Sequence, residues 1–301
     1  MQLNKPIFAF LALCSAYGQA QAQSNDFFDV SVAAHHDDNI SRALLSSDRY
    51  SDENLELAIS GGRLLQLRSQ DTLTLFGSLG VNRFQQFDGL DSTSLNLGAS
   101  LQHKFGLGAY APAVSGGLSW THHDSDTAVR THDSLELSLA YRKRLSPAWD
   151  FSAGAAYEFN EGLEDGAAYA SRYSPDNDIY DFEQASVFAS LDYTFRNFSS
   201  LSASYSFVDG NTVSSALAPN PALLAIADAL APDGAFPAEP WRMIVAYTLA
   251  TKAHLFALNW SVPVGRDSSL TAGYSRQQIE ARRGVDYTND RVSLTFMHIL
   301  K

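Results

Sequence analysis

Trp149-Asp150-Phe151-Ser152-Ala153-Gly154-Ala155-Ala156-Tyr157-Glu158-Phe159-Asn160 alternates apolar with small or polar side chains over its whole length. Successive side chains on a strand point to opposite faces, so this beat of two makes a ribbon with one greasy and one wet face. The same beat continues on either side. Leu135, Leu137, Leu139 and Tyr141 interleave with Glu136, Ser138, Ala140 and Arg142, and Leu95, Leu97, Ala99 and Leu101 interleave with Asn96, Gly98, Ser100 and Gln102. Segments of this length cross a bilayer as tilted strands, and closing them into a cylinder sets the apolar stripe on lipid and the polar one on a lumen. The sequence therefore predicts an all-β fold, a closed antiparallel transmembrane β-barrel.

About twelve strands are expected, near 26–36, 52–67, 71–85, 92–105, 111–123, 130–144, 148–160, 181–196, 198–209, 246–264, 268–280 and 289–300. The links alternate in length. Short ones fall at 68–70, 106–110, 145–147, 197 and 265–267; long, acidic or glycine-bearing ones fall at 37–51, 86–91, 124–129, 161–180, 210–245 and 281–288. With an even strand number, every long link lies at one end and both termini at the other, matching short periplasmic turns and long external loops.

The first residues read as an export signal spanning 1–22: Lys5, an apolar core from Pro6 to Ala16, and the small-x-small site Ala20-Gln21-Ala22, leaving residues 23–301 as one barrel domain. The single cysteine, Cys14, lies in that signal, so disulfides and thiolate metal sites are excluded from the mature chain. With 33 acidic against 21 basic residues, the chain lacks the clustered positive charge of nucleic-acid binding. Aromatic residues gather at both strand ends: Phe105, Trp149, Phe195 and Phe198 beside short turns, and Trp120, Tyr157, Phe159, Tyr205 and Phe207 toward long loops. Such rings favour the two interfaces of a bilayer.

On these features the chain resembles the porin-like outer-membrane β-barrels of Gram-negative bacteria over nearly its whole mature length. The alternation of Val292, Leu294 and Phe296 with Ser293, Thr295 and Met297 resembles their C-terminal assembly strand, although the chain finishes Ile299-Leu300-Lys301 rather than on an aromatic residue. Asp38-Asn39-Ile40-Ser41-Arg42-Ala43 also resembles the opening of several exported barrels. The resemblance implies residence in the outer membrane, with its lipid and lipopolysaccharide and the barrel-assembly machinery as partners.

Three places fit less well. Arg63 and Arg83 fall on the lipid face, the first next to a Gly61-Gly62 pair that suggests a bulge. The stretch 242–264 is long for one strand and its parity slips near Thr251-Lys252, which suggests either a projecting strand with a bulge or a miscount. Loop 210–245 is the longest link. Its run from Asn220-Pro221 through Ala229-Leu230 reads as a short helix, and a loop of this size is expected to plug or cap the barrel.

Lumen-facing charges expected to set selectivity are Asp29, Glu56, Lys104, Glu136, Arg142, Arg144, Asp150, Glu158, Asp192 and Arg196. At the external rim, His123 and His132 lie on hairpin neighbours. Either could act as a general base oriented by Asp124, Asp126 or Asp133, while His35, Asp37, His123 and His132 are the side chains that a divalent ion would use. No nucleophile elbow, H-E-x-x-H motif or phosphate loop is present, so neither enzymatic activity nor a cofactor is expected. The leading expectation is a channel passing or binding a small polar solute. A sealed barrel with a structural or surface-interaction role and a rim hydrolase are the alternatives.

Overall fold

A computed structural model describes residues 25–163, 178–218, 227–236, 243–281 and 286–300, so the expected signal segment 1–22 lies outside the described residues. Twelve strands form the wall: β1 (Asp26–Asp37), β2 (Asp52–Gln66), β3 (Asp71–Phe84), β4 (Ser92–Lys104), β5 (Ala113–Ser125), β6 (His132–Arg144), β7 (Trp149–Gly162), β8 (Phe182–Thr194), β9 (Ser200–Ala218), β11 (Met243–Pro263), β12 (Ser268–Ala281) and β13 (Asp286–Leu300). A short β10 (Ala229–Pro232) lies between β9 and β11 in the chain. Neighbours pair antiparallel in sequence order, and β13 closes on β1 from Phe28↔Leu300 to Asp37↔Arg291, which leaves the wall no free edge.

The alternation resolves into two faces. Val32, Leu57, Leu79, Leu97, Leu118, Leu137, Leu139, Leu258 and Leu294 stand exposed on the outside, where water would make them costly and hydrocarbon makes them favourable. On the inside, Asn54, Asn82, Thr121, Ser134, Glu136, Glu158, Gln184 and Ser190 are buried. Trp149 and Phe159 mark opposite ends of the band on β7; at ~3.3 Å per residue and a tilt of about 40°, they lie roughly 25 Å apart, the height of a hydrocarbon core.

The suspected bulges are absent. β1–β2 register runs unbroken from Asp26↔Arg63 to Asp37↔Asp52, with Gly61 and Gly62 inside it. A Cβ on either glycine would collide with the ring of Phe28 or Phe27, so the pair makes room for two aromatic rings rather than an extra residue. Arg63 does face outward, near the periplasmic end, where its Nε lies 3.4 Å from Asp26. Arg83, at the external end, lies 3.2 Å from Asp91.

The long stretch before Pro263 is one strand, also without a bulge: β9 and β11 stay in register from Ser200↔Ser261 to Ala218↔Met243. β12 reaches only to Ala281↔Thr251, so the external part of this hairpin rises past its neighbour. There the period of two ends. Thr212 to Ala216 and Ile244 to Leu249 are buried residue after residue, as in a ribbon covered on both sides. Beyond β12 the edge of β11 would carry unpaired backbone groups, and β10 takes that place with Ala229↔Thr248 to Pro232↔Val245. Ala229 and Leu230, expected to end a helix, are therefore strand; residues 221–226 of that expected helix lie outside the described residues.

Candidate functional site

The projecting hairpin crosses the mouth. Counting around the wall, β9 stands opposite β3 and β11 opposite β4. Yet Ala235, Phe236 and Ile244, carried by the hairpin, pack with Phe87 and Leu90 from the β3–β4 loop and with Ile40 from the β1–β2 loop. Phe236 stacks on Tyr50 with centroids 5.3 Å apart and tilts against Phe87 at 5.1 Å. Gly89 lets the β3–β4 loop approach this closely, since a Cβ there would sit 2.6 Å from Ala235 Cα. Other external loops hold the hairpin too: Ser215 N–H donates to Ser41 O at 2.8 Å, and Thr248 Oγ1 donates to Ile179 O at 2.7 Å.

One buried ion pair fastens this lid. Arg130, on a single turn between β5 and β6, donates Nε to Asp233 Oδ1 at 3.1 Å and Nη2 to Oδ2 at 2.6 Å. Ser215 Oγ donates to the same carboxylate at 2.6 Å and the Ala235 N–H at 3.1 Å. Burial pushes the Asp233 carboxyl up, but the Arg130 guanidinium and these donors outweigh it and hold the group below its ordinary 3.8. Burial pushes the neighbouring Tyr180 phenol up to about 12.

Beneath the lid, the Asp38–Ala43 segment is a built turn. Asn39 is buried; its Oδ1 accepts from Ala43 N–H, its Nδ2 donates to Ala43 O and Thr288 O, and its backbone O accepts from Asn289. The turn sets Arg42 in a left-handed conformation (φ 55°), rare for a residue with a Cβ, and sends its guanidinium to Gln277 at 2.9 Å.

The sequence-expected lumen charges divide into three groups. At the periplasmic end Asp150 lies 3.5 Å from Arg142 and 3.9 Å from Arg144, Asp192 stands directly opposite Asp150, Lys104 faces inward at the base of β4, and Arg196 is exposed in the β8–β9 turn. On β1–β2, Asp29 accepts from Ser60 at 2.6 Å, and Glu56 lies 3.4 Å from His35. Glu136 and Glu158 are paired residues on β6 and β7, both buried.

The rim histidines form a stack. His123 and His132 face each other with ring centroids 4.7 Å apart, and His132 stacks on Tyr180 at 4.1 Å. The His132 ring meets Arg130 O at 2.9 Å, while Asp133 points outward and bonds His122 at 2.7 Å; Asp124 is exposed on that outer side. The carboxylate expected to orient His123 or His132 thus serves the neighbour one residue away, because a strand sends adjacent side chains to opposite faces. His35 and Asp37 lie on β1, across the mouth from β5 and β6. Among the described residues, no three His, Cys, Asp or Glu side chains converge to hold a metal ion.

The latch and one wall of the lumen were not foreseen. Arg130 and Asp233 lie 103 positions apart, and no local pattern links them. The continuous apolar stretch at 244–249 did carry a signal, since a strand lacking alternation is covered on both faces. On the lumen side, Ala253, Leu255, Ile279 and Tyr287 form an apolar cluster with Val208, and β11 to β13, which carry the four, stand across the lumen from β4 to β6.

No family model and no curated protein matches the sequence. An outer membrane channel from Pseudomonas putida F1 superposes with a TM-score of 0.57 at 14% identity, over 94% of this chain and 98% of that one. The chain has the fold of an outer-membrane β-barrel. An anion-selective porin from Comamonas acidovorans matches at a TM-score of 0.42 and 8% identity, over 92% of this chain and 99% of that one. The outer membrane phospholipase of Salmonella typhi matches at 0.45 and 11%, over 94% and 93%.

Proposed function

We propose that this barrel is a gated channel for a small polar solute, with the β9–β11 hairpin as its gate. The supporting observation is the hairpin itself: it rises from one side of the wall, packs against loops on the other, and is fastened over a polar lumen by Arg130 and Asp233. A barrel stable without a passage has no need for a separately latched lid. The sealed-barrel reading draws on the apolar packing of that same lid, which could equally be permanent. Planar-bilayer recording separates the two. Replacing residues 213–248 by a two-residue Asn-Gly turn between the paired Thr212 and Leu249 shortens β9 and β11 to about the height of β12. Conductance steps in the shortened barrel and rare ones in the full chain are expected; silence from both overturns the channel reading. The hydrolase reading has less support, since the observed contacts of His123 and His132 are stacking on each other and on Tyr180. It requires His123→Ala and His132→Ala to lose lipid- or peptide-cleaving turnover.

A further inference from the structure

Glu136 and Glu158 stand directly opposite one another on β6 and β7 and face the lumen, only 6% and 8% exposed. Paired residues on adjacent strands hold their Cβ atoms about 5 Å apart, so the two carboxylates share one small volume. On their own side of the lumen, the neighbouring strands supply oxygen and no positive charge. Ser119 faces Glu136 on β5 and Gln184 is the partner of Glu158 on β8, while Ser134 and Asn160 pair one rung toward the mouth. Among the described residues, β4 to β9 carry no inward Lys or Arg at this height. The nearest on β6 is Arg142, six positions toward the periplasm, or about 20 Å along the strand. An independent observation points the same way: Glu136 Oε2 is fully enclosed and meets no hydrogen-bond donor. A buried acceptor left unmatched is costly, and a buried pair of like charges without a counter-charge is costlier still.

We propose that Glu136 and Glu158 form a cation-binding subsite in the lumen beneath the lid, taking a hard inorganic cation or the ammonium group of a solute. The donors are carboxylate, amide and hydroxyl oxygens, which favour calcium-like ions over the soft metals that bind sulfur and imidazole. Across the lumen, Leu255, Ile279 and Tyr287 form an apolar patch beside the Arg42 guanidinium, which bonds Gln277, so the carboxylates are the anionic side of a lumen whose far wall carries the positive charge. This deepens the channel reading by naming the charge of the solute, but the site can be tested without any conductance.

Titration calorimetry on the full-length, detergent-purified barrel uses three separate probes: calcium chloride, sodium chloride and methylammonium chloride. Glu136→Gln and Glu158→Gln keep the shape and remove the charge; Asp124→Asn, on the exposed rim, controls for binding to the acidic loops. The expected result is binding of at least one probe by the wild type and by Asp124→Asn, weakened at least tenfold in each Gln variant. Saturation by calcium or sodium assigns an inorganic ion; saturation by methylammonium alone assigns a solute ammonium group. Equal binding in the wild type and both Gln variants, or no binding of any probe, overturns the proposal. The Gln variants are expected to show the same heat-dependent gel shift as the wild type, so lost binding reports the site and not unfolding. A silent bilayer with intact cation binding would reject the channel and keep the site.

Discussion

The lower and upper halves of β9 and β11 belong to the same two strands and obey different rules. From Ser200 to Gly210 and from Thr251 to Ser261 they alternate, because lipid lies on one side and a lumen on the other. From Thr212 to Ala216 and from Ile244 to Leu249 they do not, because protein lies on both. The backbone ladder is unbroken throughout, so the change comes entirely from what surrounds it. Periodicity in a strand therefore reports its solvent, and a loss of period inside an unbroken strand marks where the membrane ends.

That contrast can be broken most severely in the lower half of the wall. Leu137→Arg puts a charge on the lipid face near the bilayer midplane, at a cost of roughly 2–4 kcal/mol. Loss of the heat-dependent gel shift of the folded barrel is the expected outcome. A charge in the upper half should spare the barrel and free the lid: Ile244→Arg is expected to keep the gel shift while raising the frequency of conductance steps.

The latch comes next. Asp233→Ala leaves Arg130 enclosed without its carboxylate, a change worth about 3–5 kcal/mol when a buried pair loses one partner. The expected result is more frequent opening and faster proteolysis of the hairpin, with little change in barrel melting. Arg130→Met combined with Asp233→Leu should open the lid far less, since neither variant residue strands a charge.

A smaller effect is expected with pH. The carboxyl of Asp233 is depressed in the folded state, so its contribution is complete above the ordinary 3.8 and is lost only as pH falls through the lower folded value. Opening should be flat from about pH 5 to 8 and rise only below about 3.8. An increase centred near neutrality would mean that another group controls the lid. The smallest change is expected at Gly154, where a Cβ would press on Leu139 O and the Phe188 ring. Gly154→Ala should lower barrel stability by about 1–3 kcal/mol, read by urea titration of the folded band.

The wall was legible because each strand carries its own environment in its side chains. Trp149 to Asn160, read alone, already separates lipid from lumen, and the expected strand ends fall within a few residues of those observed for all but the upper end of β9. The acidic pair Glu136 and Glu158 was legible for the same reason: parity placed both inside. What brings them together is register, which the sequence leaves open until the hairpin is closed. The latch was not legible, because Arg130 sits in a loop whose geometry follows from tertiary contacts and its partner is on another loop altogether. His122 and His123 show the limit of local reading. Only His123 sits beside an aspartate in sequence, Asp124, yet the bond to Asp133 is made on the outer face and by His122.

The unbroken β9–β11 register also determines how the entrance can move. A separate plug may come away like a cork, but this lid shares its hydrogen-bonded rungs with the cylinder below and can only flex, with its fulcrum near Thr251, where β12 stops supporting it. It is a lever cut from the wall. Any opening of the tip would therefore have to bend the two wall strands below it.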